Sequence, residues 1–388
     1  MAKKDAGGGG EGRGELGVRG LEKENAMAGA SLHTRLCEVL DIEHPVIAFT
    51  HCREVAVAAI RAGGFAVLGE AMKTADEIQE NIRWLRSQVG DKPFGIDLVL
   101  PSNAPRQGTP EELIAQIPES HMQYKERIHA AYDVPLPHNP VALRQWGGLN
   151  KRLGLAQIEC VLDERVPAIA TGLGSPEFLF EAAHDRGILM IGLIGATRQA
   201  RHVLALGADM VVAQGYDAAG HTGAVGTFSI VPEVVEVAGD TPVIAAGGVT
   251  TGRHLAAALC LGAAGVWTGT AWLASEESDV DPLVKQRILQ ATGDDTTRTA
   301  CISGKTMRIL KCPWTEEWEK QDAPQVLKSP FQMLLSSDYL QAANDSRRAD
   351  LMTEAVGQGV AFVDGAMPVR EILQGMVAEA ETVLGRFG

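Results

Sequence analysis

The stretch Gln214-Gly-Tyr-Asp-Ala-Ala-Gly-His221-Thr-Gly223 follows an apolar run, Met210 to Ala213, that reads as a buried strand. It sets one histidine in a loop almost free of bulky side chains. Small residues let a backbone approach a flat or charged ligand closely, and a lone imidazole there can move a proton near neutral pH. Next in the chain comes Pro242-Val-Ile-Ala-Ala-Gly247-Gly248-Val249, a second strand ending in glycines. Gly265-Val-Trp-Thr-Gly269-Thr270-Ala271-Trp272 follows as a third. Consecutive strand ends carrying Gly-Gly and Gly-Thr look like a phosphate cradle, with backbone N–H groups of Gly247, Gly248 and Gly269 and the Thr270 hydroxyl as donors, helped by the positive end of the following helix. Such a cradle beside a proton-handling histidine points to a phosphorylated cofactor whose reactive part faces His221.

Outward from this centre the chain alternates short apolar runs with amphipathic segments. The spacing predicts strands at Val46–Phe49, Ala66–Leu68, Phe94–Leu100, Ala168–Thr171, Leu189–Ile194, Met210–Ala213, Val243–Ala246 and Gly265–Thr268. It predicts helices at Glu54–Ala62, Ala75–Val89, Ser175–Arg186, Thr197–Leu206, Pro232–Ala238 and Thr251–Leu261. Ser175, Thr197 and Thr251 stand where N-caps belong, and Gly187, Gly207 and Gly262 where helices end. Strands buried on both faces with helices between them make a parallel sheet. About eight such units predict an α/β fold of the closed (β/α)8 TIM-barrel kind.

The rhythm breaks twice. Residues 101–153 are rich in proline and follow the third strand, so they sit on the active-site face as a lid or substrate wall. Beyond Trp272 the alternation stops, and residues 276–360 read as a small helical lid domain. The expected organisation is a disordered leader over 1–30, a barrel over 31–275 with its insertion, the lid, and a C-terminal helix within 361–388 that returns to the barrel. The leader is glycine among charges and lacks the apolar centre of a secretory signal.

Composition narrows the function. The formal net charge of −14 argues against nucleic acid or a membrane surface as partner, since both are polyanionic. No segment is apolar for long enough to make a transmembrane helix. The six cysteines show no metal-like spacing with histidine and read as reduced thiols in a cytoplasmic protein. The expectation is an enzyme working on a small molecule, as a monomer or homodimer.

The His221 stretch, the Ala-Ala-Gly247-Gly248-Val249 turn and Trp-Thr-Gly269-Thr270 together resemble the nitronate monooxygenase family, from about Pro45 to Ala274. A weaker likeness extends into Ser303-Gly-Lys-Thr-Met-Arg308 and Gly357-Gln358-Gly359. The resemblance implies FMN as cofactor and oxidation of an alkyl nitronate by O2 to a carbonyl compound and nitrite. His221 would deprotonate a nitroalkane or orient the nitronate. It equally admits an NAD(P)H-linked FMN reductase or dehydrogenase acting on a quinone, an enone or an acyl thioester. Gly220, Gln214 and Asp217 fall in the flavin region, the latter two as ligands or as braces of the loop, and Thr171 on the pyrimidine side. Asp97 stands where the family's third strand usually carries Asn, and so puts a carboxyl against the ring. His51 and Cys52 end the first strand and should face the site, Cys52 as packing rather than as a nucleophile. Arg298, Lys305 and Arg308 read either as a solvated lid face or as a lure for an anionic substrate. Trp146, Trp314 and Trp318 read as packing anchors.

Overall fold

The structure is a computed structural model and describes residues 32–99, 110–135, 151–172 and 174–386. The leader and Trp146, with much of the proline-rich insertion, lie outside the described residues.

The eight strands read from the sequence are the eight that close the barrel. In chain order they are β1 (Val46–Thr50), β2 (Phe65–Gly69), β3 (Gly95–Val99), β4 (Ala168–Gly172), β5 (Leu189–Ile194) and β6 (Met210–Gln214). A two-residue strand, β7 (Gly220–His221), lies outside the barrel, and β8 (Val243–Ala246) and β9 (Gly265–Thr268) complete it. All the barrel pairings are parallel, and β9 returns to β1 through Ala48 and Thr268. Ile47, Phe65, Val67, Met210, Val212 and Ile244 fill the interior. Leu36 and Leu40 of the helix Arg35–Leu40 join the same cluster and close the bottom. Gly265 is small for this reason: a Cβ there would stand 2.5 Å from Leu36.

Helix ends obey the expected physics only in part. Thr251 caps its helix by accepting from the His254 N–H at 3.4 Å. Ser175 and Thr197 cap nothing: Pro176 and Ala196 hold the cap positions, and the Thr197 hydroxyl donates instead to Glu233 at 2.6 Å. Gly187, Gly207 and Gly262 do follow helix ends with positive φ. The helix expected from Pro232 begins earlier, at Thr227, and carries Pro232 inside it. Val369–Leu384 packs between the helices Arg53–Arg61 and Gly252–Cys260. The last contact is close enough that a Cβ on Gly252 would meet the Met376 carbonyl at 2.2 Å.

The second core belongs to a cap over the barrel mouth. Trp314, Trp318, Tyr339, Leu334 and Ile288 form it, and Ile117, Tyr124 and Ile128 of the insertion pack into it. The insertion's described helices, Pro110–Ile114 and Glu119–Ala131, therefore build the cap rather than the barrel wall. The cap is also not purely helical. An antiparallel hairpin, β10 (Thr296–Thr299) and β11 (Met307–Leu310), extends through β11 onto β7. Three threonines and an arginine over Thr296–Thr299 gave no apolar run to mark that strand.

Candidate active site

The loop after β6 is held from both sides. Gly215 lies against the start of the next helix, where a Cβ would stand 2.3 Å from the Thr227 nitrogen. The Thr227 N–H donates to Asp217 Oδ2 at 2.7 Å, so Asp217 caps that helix end from the loop. On the cap side, β7 pairs His221 with Met307 and Gly220 with Arg308. Arg308 is 5% exposed; its guanidinium donates to the Tyr216 carbonyl at 3.0 Å and to Thr296 Oγ1 at 2.9 Å. Arg298 donates to Thr222 Oγ1 at 3.2 Å and to the Gly223 carbonyl at 2.6 Å. Both arginines thus brace the loop that carries His221: Arg308 from a buried position, Arg298 from the exposed face of the hairpin, where it is a solvated lid residue as well as a brace. Gly223 presses on the end of β5, where a Cβ would lie 2.2 Å from the Gly195 carbonyl.

His221 Nε2 lies 2.8 Å from Ser303 Oγ. The same hydroxyl is 3.1 Å from the Lys305 carbonyl, which only accepts, and 3.3 Å from the Lys305 N–H, which only donates. All three contacts are satisfied at once when the serine proton sits on the carbonyl and the imidazole proton on Nε2. Nδ1 is then left as a bare acceptor. Burial, reinforced by the Lys305 ammonium, pushes the imidazole down to about 4. At neutral pH His221 is uncharged. Lys305 is itself lowered by burial, with no carboxylate acting on it.

These groups open onto a cavity of about 1190 Å³ between barrel mouth and cap. Gln214, Gly220, His221, Gly247, Gly248, Gly269, Thr270 and Asp97 all line it. Thr171 does not: it is fully buried with its hydroxyl 3.3 Å from Ser175 Oγ, and its neighbour Gly172 faces the cavity instead. Asp217 lies behind the wall, beside a smaller pocket with Thr227 and Phe228. His51 and Cys52 line the cavity. His51 Nδ1 lies 2.8 Å from the Gly69 carbonyl, which makes Nδ1 the protonated nitrogen. The Cys52 thiol is raised by burial and donates to the Glu277 carbonyl at 3.2 Å, which makes it a packing residue.

The residues present suit a phosphorylated flavin. Gly247 and Gly248 have φ of 109° and 69°, and a Cβ on Gly247 would meet Thr227 Oγ1 at 2.5 Å. Among the described residues no acceptor meets the N–H groups of Gly248, Val249, Gly269 or Thr270, which leaves them to a ligand. Thr270 Oγ1 accepts from the Gly357 N–H at 2.9 Å, so its own proton is free to donate. The helix after β8 contributes less than its position implies. The Gly252 and Arg253 N–H groups donate to Glu379 Oε2, and those of Thr250 and Thr251 to His254 Nδ1. The glycine turn, not the helix end, is the donor set. At the end of β3, among the described residues, Asp97 Oδ1 is buried without a partner. Sequence reasoning missed Ser303 and Glu354 as cavity residues. Glu354 lines the cavity, accepts from the Ala355 N–H at 2.8 Å and is raised by burial.

A closed β/α barrel with a glycine cradle, a neutral histidine and a cap defines a flavin-dependent oxidoreductase. The family model of nitronate monooxygenase matches residues 33–379, and the chain belongs to that family. The Mycobacterium tuberculosis protein Rv1533, named as a monooxygenase, is 37% identical over 370 residues, 92% of this chain and 98% of its own. A second protein of that organism, named as (3aS,4S,5R,7aS)-5-hydroxy-7a-methyl-1-oxo-octahydro-1H-indene-4-carboxyl-CoA dehydrogenase, is 33% identical over 74% of this chain and 69% of its own. Among solved structures, the nitroalkane oxidase of Streptomyces ansochromogenes superimposes with a TM-score of 0.75 at 27% identity, covering 90% of this chain and 99% of that one.

Proposed function

We propose that this chain is an FMN-dependent nitronate monooxygenase that takes its substrate as the preformed anion. The observation that carries this reading is the Lys305 ammonium, half-buried and, among the described residues, without a carboxylate, beside a neutral imidazole in the cavity wall. A partly desolvated, unpaired charge is costly until an anion joins it. The Gly247, Gly248, Gly269 and Thr270 donors would hold the FMN phosphate, with Gln214 and Asp97 toward the ring. When bound, the flavin supplies the electron chemistry, carrying electrons from the nitronate to dioxygen so that carbon ends as a carbonyl and nitrogen as nitrite.

The protein's part is placement. Lys305 orients the nitronate oxygens, and the Gly220–Gly223 loop fixes the imidazole against them. A base with a midpoint of about 4 draws a carbon-bound proton poorly, so the site suits a substrate that arrives ionised. An anion at Lys305 offsets the ammonium's repulsion, but burial, the larger cause, remains, so the imidazole stays neutral and serves to position the substrate. In this reading the protein works in the cytoplasm, as a monomer or homodimer; the six free thiols fit a reducing compartment. Among the described residues no helix is long and apolar enough to cross a membrane.

Lys305→Met is the test. It should raise KM for propyl nitronate about tenfold, equivalent to ~1.4 kcal/mol, with kcat within about threefold. An unchanged KM would remove Lys305 from substrate binding. A second reading, an NAD(P)H-linked FMN dehydrogenase or reductase for an enone, quinone or acyl thioester, is favoured by two observations. The cavity exceeds the usual range for one small ligand, and one relative is named for a CoA thioester.

A further inference from the structure

Asp97 is the least explained group in the cavity. It sits on β3, hydrogen-bonded in register between Gly69 of β2 and Ala170 of β4. Its carbonyl accepts from the Glu70 N–H at 3.1 Å. The residue is 7% exposed, lines the cavity, and among the described residues leaves Oδ1 with no hydrogen-bond partner. A buried polar atom without a partner is costly and marks either strain or a place kept for a ligand. Among the described residues no cation compensates it. The neighbouring strands offer Glu70 at the end of β2, another acid, and His51 at the end of β1, whose Nδ1–H is spent on the Gly69 carbonyl. Ala170 and Thr171 of β4 carry no charge. The other titratable groups of the cavity wall, Cys52, His221, Asp279, Asp281, Lys305, Lys328 and Glu354, make no contribution to the Asp97 carboxyl.

We infer that Asp97 serves the flavin as a neutral carboxylic acid, one oxygen accepting from the ring N3–H and the other donating to an adjacent ring carbonyl, so that binding FMN to the ionised protein takes up one proton. The inference rests on the FMN reading above. Its logic is complementarity. The pyrimidine edge of a flavin offers an N–H between two carbonyl oxygens. A neutral carboxyl matches one donor and one acceptor of that edge. A carboxylate accepts only, and would set a full charge against a carbonyl dipole in a site that excludes water. Burial alone pushes this carboxyl up to about 7, so the free protein ionises there near neutral pH. The sign follows: affinity for FMN is full below that midpoint and falls as pH rises through it, because the proton must be recovered on binding.

The test is a titration of the flavin-stripped full chain with FMN, followed by quenching of flavin fluorescence between about pH 7 and 9, where the phosphate stays dianionic. The wild-type Kd should rise roughly fiftyfold across that window, with proton uptake approaching one per FMN at the upper end, read as the buffer dependence of the binding heat. Asp97→Asn, with a fixed amide, should hold Kd constant within about threefold. Glu70→Gln removes the other buried acid at this end of the barrel without touching the cavity, and should keep the wild-type slope. A flat wild-type profile without proton uptake overturns the inference, as does a slope that survives Asp97→Asn or vanishes in Glu70→Gln. Failure of FMN to bind at any pH overturns the cofactor reading instead. Should Asp97→Asn not fold, the wild-type slope and proton uptake together with the Glu70→Gln profile decide.

Discussion

The two ends of the cavity are built in different ways. The donors of the cradle end all come from the barrel: Gly247 and Gly248 close β8, Gly269 and Thr270 close β9, adjacent parallel strands bring them together, and the cap adds only the Gly357 N–H behind Thr270 and Gly359 against Gly248. The histidine end is a joint product. His221 comes from the barrel, but Ser303, Lys305, Arg298 and Arg308 come from the cap hairpin, and Ser303 reaches the imidazole from 82 residues away. One end is rigid by topology. The other exists only while the cap is docked, which makes it the end able to vary with substrate while cofactor binding stays fixed.

Substitutions can break this contrast or sharpen it. His221→Asn should cost the most: about a hundredfold in kcat/KM with propyl nitronate, which the imidazole positions, yet only a few-fold with neutral 1-nitropropane, which so weak a base already deprotonates poorly, in steady-state assays of both. Equal losses would mean the imidazole serves both substrates in the same way. Because Lys305 helps hold His221 at about 4, the wild-type kcat/KM for an ionised substrate should show no His221 limb between about pH 5 and 8. Next, Arg308→Met removes a buried guanidinium from the Tyr216 carbonyl and Thr296. It should destabilise the chain by about 2–4 kcal/mol in denaturant melts. If the two ends are independent, FMN affinity should change little in that variant. Gly247→Ala reverses the pattern, since its Cβ would collide with Thr227 Oγ1 at a φ of 109°. It should weaken FMN roughly tenfold, or about 1.4 kcal/mol, while the His221 loop keeps its hydrogen bonds.

The smallest effect belongs to the barrel rim. Glu70 is buried with Oε2 unpartnered, and burial raises it to about 7. A carboxyl raised in the folded state contributes its stability below the unfolded value near 4.5. That contribution is lost as pH climbs through about 7. Glu70→Gln should therefore gain about 1 kcal/mol over wild type at pH 8 and nothing at pH 4, measured by denaturant midpoints at the two pH values.

What the sequence disclosed follows the same division. All eight barrel strands were legible because each is a short run of apolar residues between turn signals, and the cradle because its glycines sit at the ends of two such runs. The hairpin was not. Thr296–Thr299 is polar, and β7 is two residues long, so no local period betrays a sheet that forms only by pairing distant segments. Ser303 was visible only within a weakly matching stretch, and nothing in its surroundings marked it as the partner of His221. Asp217 and Thr171 were placed one position too generously. Both stand beside the cavity in sequence, but Asp217 takes the bracing role left open for it and caps a helix, and Thr171 points outward from the barrel to Ser175, ahead of the next helix. Periodicity locates a strand end to within a residue, and a residue is enough to reverse the face.

The most direct test of the account is anaerobic reduction of the flavin-loaded protein by propyl nitronate, set beside NADH and NADPH. Rapid bleaching by the nitronate, with nitrite and aldehyde released when air is admitted, is the result expected. Bleaching by a pyridine nucleotide with the nitronate inert would contradict it and move the site to the reductases.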